Sequence, residues 1–321
     1  MTHVLITGAA GFIGRAVVDA LAARVAAGGS GRLAQLSTLT LFDRAPANAR
    51  VEGAATKVAL GNMVATDLAG LVSPADIIIH LAASLTLAAE TDVPGGFDIN
   101  LHAALRLIEA AGRSGRHPVL VFSSSIAVFG GALPERVSEA TRPAPATCYG
   151  TAKAMVELAL ADATRRGAVD GRTLRIPIVV TRPGVPTSMV SDIVAELIRG
   201  PLLGRDVVSP LDPDRPFAIV TAERVSNTLL DLAERPAAHL PADRVVHQPG
   251  LTVTPRMLVD SLARVAGTDV AERVTFAPDP AVAAVVAGWP SVFASDAPSP
   301  PGADADVDKV VAAAARRFFK A

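Results

Sequence analysis

Cysteine is almost absent from this 321-residue chain: Cys148 stands alone, so no internal disulfide can form, and a reducing cytoplasm suits it. Next to Tyr149, Cys148 reads as a small filler rather than a reactive thiol. Charge of one sign is not in excess either. The 30 basic and 31 acidic side chains leave a formal net charge of −1, which gives no electrostatic footprint for nucleic acid or an acidic membrane. No apolar run approaches the roughly 20 residues of a membrane span without glycine, charge or polar interruption. The opening Met1–Ile6 enters a strand pattern directly, without the basic stretch or cleavage site of a secretory leader. Histidines, the cysteine and the acids show no metal-ligand spacing, and no segment repeats. The expectation is a soluble cytoplasmic protein without metal, with enough apolar material for one large or two modest domains.

What is present begins with Val4-Leu5-Ile6, a short buried strand running into Thr7-Gly8-Ala9-Ala10-Gly11-Phe12-Ile13-Gly14 and an alanine-rich helix to about Ala27. Glycines at 8, 11 and 14 permit a tight turn, close approach to a pyrophosphate and close helix–strand packing. The helix start offers free N–H groups to phosphates. A ligand-free glycine turn is the alternative, and the strand before and helix after favour a dinucleotide. Leu39–Phe42 is a second strand ending at Asp43. An acid there accepts from adenosine ribose hydroxyls and disfavours a 2′-phosphate, which predicts NAD over NADP; a strand-end turn residue is the other reading, and Arg44 beside it argues for NADP.

Lys57–Leu60, followed by Gly61-Asn62-Met63, is a third strand. Asp76–His80 continues into the small-residue end Leu81-Ala82-Ala83, apolar as a parallel strand buried on both faces should be. His80 reads as a packed histidine rather than a base. A helix is expected from about Gly95 through Asn100 to Ala111. Strand five, Val119–Phe122, ends in Ser123-Ser124-Ser125, where doubly wound sheets place ligands; at least one of these serines should cap the following turn.

Tyr149 and Lys153 stand four apart at the start of a long apolar helix, hence on one face. An ammonium beside the phenol is expected to lower its pKa toward neutrality, making it a general acid or base. A further strand lies at Thr173–Ile176, with Pro177 after it. Alternating strands and helices to this point give α/β with a Rossmann-type doubly wound parallel sheet over 1–180. Residues 181–321 change texture, with prolines at 183, 186, 201, 210, 213 and 216. They read as a smaller mixed α/β substrate region interleaved with the first, with helices at 188–199, 221–234, 254–266 and 308–320. The run 281–286 reads as packing.

Thr7-Gly-x-x-Gly-x-x-Gly14, Asp43, His80-Leu-Ala-Ala83, Asn100, Ser123-Ser-Ser125, Tyr149-x-x-x-Lys153 and Arg182-Pro-Gly184 together resemble the extended short-chain dehydrogenase/reductase family over almost the whole chain. The resemblance implies a catalytic trio of Ser125, Tyr149 and Lys153. It implies NAD contacts from Gly8, Gly11, Phe12, Ile13, Gly14, Asp43, Asn62, Met63, Leu81, Ala82, Ala83, Asn100, Ser123, Tyr149, Lys153, Pro177, Ile178 and Val179, with Asn100 supporting the lysine. Substrate would meet Ser84, Ser125, Tyr149, Arg182, Gly184 and Arg215. Two departures stand out: Asn62 replaces an aspartate that reads adenine, and Phe129 replaces a frequent tyrosine.

Matches in Ala127–Pro134, Arg166–Arg172, Leu174–Val180, Asp212–Asp214 and Gly288–Pro290 resemble members that oxidise the C2 hydroxyl of a four-carbon sugar acid. A carboxylate substrate wants a guanidinium, for which Arg182 and Arg215 are candidates; each is equally readable as a surface arginine. The rival within the family is a nucleotide-sugar epimerase or dehydratase that regenerates its NAD. Helices near 97–111 and 149–164 would pair in a homodimer as a four-helix bundle, as in many relatives.

Overall fold

The computed structural model describes residues 1–180, 190–296 and 306–318. Its centre is one seven-stranded sheet. The strands are β1 (Thr2–Thr7), β2 (Leu36–Asp43), β3 (Ala55–Leu60), β4 (Ile77–His80), β5 (Val119–Ser125), β6 (Asp170–Ile176) and β7 (Val245–His247). Their order is β7-β6-β5-β4-β1-β2-β3. β1 pairs in parallel with both β2 and β4, β2 with β3, and β4 with β5. This is the doubly wound order with one strand added beyond β6, and the order reverses between β1 and β4, where such sheets bind ligands.

Helices among the described residues pack with this sheet. They include α1 (Phe12–Ala27), α2 (Ala103–Arg113) and α3 (Cys148–Arg165). Leu107 of α2 and Val156 and Leu160 of α3 meet Leu5, Ile78 and Leu120 of the sheet in one buried core. Each such side chain stabilises the fold by about 1.5–3 kcal/mol, which holds α3 firmly over the carboxyl end of β5. The α3 start is capped twice. Thr147 Oγ1 accepts from Gly150 N–H at 3.0 Å, and Glu90 Oε1 accepts from Cys148 N–H at 2.5 Å.

The described chain divides into two compact units. The first comprises 1–128, 147–175 and 225–246, and the second 129–146, 176–224 and 247–321. Within the second, Phe217–Thr221 is the middle strand of a three-stranded sheet, parallel to Ile178–Val180 and antiparallel to Leu251–Val253. Its helices include Val190–Leu202, Pro255–Ala266 and Val307–Phe318, while Ala222–Glu234 spans the division. The run expected only to pack is itself a helix, Pro280–Val286, with Asp279 accepting from Ala281 N–H at 2.8 Å.

The single helix expected from about Gly95 is three pieces: Val93–Phe97, a π-helical turn at Asp98–His102, and α2. Among the described residues no helix is long and apolar enough to cross a membrane.

Candidate functional site

The first unit builds its site from two strand ends and two helix starts. After β1 the chain turns through Gly8 at φ +73°, and a Cβ there would lie 2.7 Å from Ala82 N. Only glycine lets the turn lie against the backbone that leaves β4. A Cβ on Gly14 would run into Gly8 O and, at 2.8 Å, into Ala9 Cα. The chain enters α1 at Gly11, which offers no side-chain cap, and the first turn of α1 carries no acid. A helix start of this kind carries partial positive charge, the arrangement that receives phosphates. Phe12 and Ile13 form that first turn.

Asp43, last residue of β2, turns back to this loop. Its Oδ2 accepts from Ala10 N–H at 3.0 Å, and its Oδ1 from Ala45 N–H at 3.2 Å. Behind the loop, Thr7 Oγ1 lies 2.7 Å from Nδ1 of His80. His80 is fully buried and stacked on Phe122, and burial pushes its pKa down to about 3. It is therefore a neutral packing group that pins the ends of β1 and β4 together. β4 ends there, and Leu81, Ala82 and Ala83 leave the sheet half-buried.

The serines expected just beyond strand five are its last residues. Ser123 Oγ donates to His80 O at 3.2 Å. Ser125 Oγ accepts from Ala127 N–H at 3.1 Å, capping the turn at Ile126–Val128. Its own hydroxyl proton is left to donate, and Ser125 stands within reach of Tyr149, where it favours the phenolate. α3 comes this close because residue 150 is glycine; a Cβ there would occupy the position of Ala127 O. Lys153, 2 % exposed, donates from Nζ to Ser123 O at 2.8 Å. The same Nζ lies 4.6 Å from the Phe122 ring centre and 5.5 Å from that of Tyr149.

The structure thus brings Ser125, Tyr149 and Lys153 together, but it reverses the expected electrostatics. Burial pushes the Tyr149 phenol up to about 12, with Ser125's hydrogen bond pulling the other way. Burial pushes Lys153 down to about 7, opposed by the negative charge of Glu157. Removal from water disfavours both charged forms and outweighs their mutual attraction at this separation. The phenol made acidic by its lysine neighbour is corrected to a neutral phenol beside an amine poised near neutrality.

The remaining expected residues divide between the two units. Asn62 Oδ1 accepts from Val64 N–H at 3.0 Å, a local turn, and buried Met63 gives its carbonyl to Arg106. Asn100, in the π-helical turn, clamps Ser84 in both directions at 2.8 Å, accepting from its N–H and donating to its carbonyl. Pro177, Ile178 and Val179 belong to the second unit, the latter two in its three-stranded sheet. Arg215, also in that unit, donates from Nη2 to Ala287 O at 3.2 Å, and its buried Nε has no hydrogen-bond partner among the described residues. Arg182 and Gly184 lie outside the described residues. Phe129 is buried, edge-on to His247 and Phe293.

The sequence reading missed a buried group beside this site: Ser124, Glu157 and Arg175, joined by hydrogen bonds and an ion pair. The available signal was an acid four residues after Lys153 in an otherwise apolar stretch.

The model of the NAD dependent epimerase/dehydratase family matches residues 4–221. The chain belongs to this family. It is therefore an NAD-dependent enzyme of the extended short-chain dehydrogenase/reductase type. Its relatives include D-erythronate dehydrogenase of Cupriavidus necator, 36 % identical over 317 residues that cover 97 % of each chain. D-erythronate dehydrogenase of Haemophilus influenzae is 34 % identical over 216 residues, 67 % of this chain and 69 % of that one. Among solved structures, the nucleoside-diphosphate-sugar epimerase from Agrobacterium tumefaciens superposes with a TM-score of 0.88 at 29 % identity, covering 97 % of this chain and 92 % of that one. The family's cofactor fits the residues present: a turn that admits no Cβ at Gly8, an acid-free helix start, and the Asp43 carboxylate at the end of β2.

Proposed function

We propose that this enzyme oxidises the C2 hydroxyl of a small sugar acid, a D-erythronate-like aldonate, to the 2-oxo acid with NAD. The observation that carries the reading is the placing of Tyr149, within reach of Ser125, and of Lys153, tied to Ser123 O, one turn apart on one helix in the same unit as the glycine turn. Similarity to D-erythronate dehydrogenase along 97 % of both chains supports the substrate class.

In the proposed reaction, Tyr149 as phenolate takes the proton of the C2 hydroxyl. Ser125 turns its one hydroxyl proton from the phenol to the same oxygen as it becomes a carbonyl, while its Oγ accepts from Ala127 N–H. Lys153 in its ammonium form stabilises the phenolate; with a pKa of about 7 it can gain or release that proton near neutral pH. NAD, when bound, supplies the acceptor for the hydride leaving C2 and a positive ring charge that favours the phenolate. Gly8, Gly11, Phe12, Ile13 and Gly14 would hold its phosphates, and Asp43 its adenosine ribose. Asn62, Met63, Leu81, Ala82, Ala83, Asn100, Ser123 and Pro177–Val179 complete the proposed contacts. For the substrate carboxylate, Arg215 is the candidate among the described residues, because a guanidinium suits a carboxylate.

The test is Tyr149→Phe with a panel of four- to six-carbon aldonates, following NADH formation. NAD affinity should stay within about twofold, while kcat falls by about 10²–10⁴; near-normal turnover would refute the assignment. Similarity to the epimerase supports a second reading, in which sugar nucleotides turn over without net NADH. The same assay separates the two. We also propose a homodimer built on α2 and α3, because Met155 and Leu158 of α3 are 45 % and 74 % exposed.

A further inference from the structure

Three consecutive residues of β5 grip α3 at three successive turns. Ser125 stands within reach of Tyr149, the Ser123 carbonyl accepts from Lys153, and Ser124 Oγ bonds Glu157 Oε1. The third rung is the most deeply anchored. Glu157 also accepts from Arg175 of β6, whose Nε lies 3.0 Å from Oε1 and whose Nη2 lies 2.7 Å from Oε2. Ser124, Glu157 and Arg175 are 3 %, 5 % and 4 % exposed. An ion pair this deep commonly stabilises no more than an apolar replacement would, so stability alone does not account for it. What it does supply is direction. A two-pronged guanidinium–carboxylate contact fixes both the rotation of α3 about its axis and its slide along β5.

We propose that Glu157, seated between Ser124 and Arg175, is a positioning residue for the reaction: it sets the register of α3 on β5 and thereby holds Lys153 on Ser123 and Tyr149 one turn away beside Ser125. This rests on the roles proposed for Tyr149, Ser125 and Lys153. The titratable and charged groups facing Lys153 are Tyr149 and Glu157 on its own helix, His80 on β4, and Arg175 behind Glu157 on β6. The negative charge of Glu157 favours the ammonium of Lys153, and Arg175 pairs with that same carboxylate. The device therefore acts on geometry and on charge through the same side chain, although Glu157 touches no reacting atom.

The test uses the full chain carrying Glu157→Gln, Ser124→Ala or, as a control for loss of a buried ion pair, Asp170→Asn. Asp170 pairs with Arg172 and Arg244 elsewhere in the same unit. Two readouts are taken: kcat with NAD and an aldonate, and the alkaline titration of the phenolate band without either ligand. Glu157→Gln and Ser124→Ala should lower kcat by about tenfold or more, with KM for NAD within about twofold. Both should reduce the Tyr149 ionisation constant by about two- to tenfold, as a loosened Ser125 bond would. Asp170→Asn should lower the melting temperature without moving either readout. Should Glu157→Gln fail to fold, Ser124→Ala carries the test, because it keeps the ion pair and removes only the rung. Wild-type kcat and a wild-type phenol midpoint in Ser124→Ala would overturn the proposal. An active Tyr149→Phe would instead overturn the functional reading on which it stands.

Discussion

Tyr149 is the only tyrosine in the chain, so its ionisation can be followed directly through the near-ultraviolet phenolate band. Burial places its midpoint at about 12, against an ordinary value of 10.0. Each decade corresponds to about 1.4 kcal/mol, so the fold withholds about 3 kcal/mol from the phenolate. At pH 7 about one phenol in 10⁵ is ionised. A general base so scarce has to be recruited by charge, and Lys153, near its own midpoint at pH 7, supplies part of it. The ligand-free protein should show a midpoint well above 10, read after a rapid pH jump before the chain unfolds. Saturating NAD should bring the midpoint down by at least one decade, since a nearby cation favours phenolate. Ser125→Ala should push it further up, because a hydrogen bond to a charged acceptor is worth about 1.5–3 kcal/mol, about ten- to a hundredfold in the ionisation constant. A ligand-free midpoint at or below 10, or one indifferent to Ser125→Ala, would refute the argument that burial governs this phenol.

The same burial makes stability depend on pH through Lys153. Its folded pKa, about 7, lies below its ordinary 10.5, so the unfolded chain binds the extra proton between these values and stability rises with pH across that window. The penalty is present in full below pH 7. Denaturant titration from pH 7 to 10 should show this slope, and Lys153→Met should abolish it; an equal slope in the variant would count against a buried, proton-poor lysine. Gly8→Ala places a Cβ 2.7 Å from Ala82 N at φ +73°, which costs about 1–2 kcal/mol for the left-handed backbone alone. NAD affinity by calorimetry should fall about tenfold or more, and unchanged affinity would remove the turn from the cofactor site. Leu158→Glu on α3 should convert a dimer to a monomer in sedimentation analysis while leaving NAD binding intact; a monomeric wild type would refute the bundle.

How much of this was legible in the sequence depends on how far apart the causes lie along the chain. Gly8, Gly11 and Gly14 announce themselves because the demand for a missing Cβ arises within one turn. Tyr149 and Lys153 announce themselves because a helix alone brings positions four apart to one face. The first five strands were readable as apolar runs for the same local reason. The strands at Ile178–Val180, Phe217–Thr221 and Leu251–Val253 were not, since three to five residues carry no periodicity that separates them from loop. Nor was the break in the helix near Gly95, where Asn100 pulls on Ser84 sixteen residues away. Glu157 hid in plain view: an acid in a helix reads as solvated until β5 brings Ser124 and β6 brings Arg175 to meet it. The sign of the Tyr149 shift failed by the same logic. Its partner Lys153 is local, and pairing argues for an acidic phenol. The desolvation that overrides the pairing is set by the whole fold around the ring, and no window around position 149 contains it. Chemistry that depends on which groups stand together could therefore be read from spacing, whereas chemistry that depends on how little water remains around them required the folded chain.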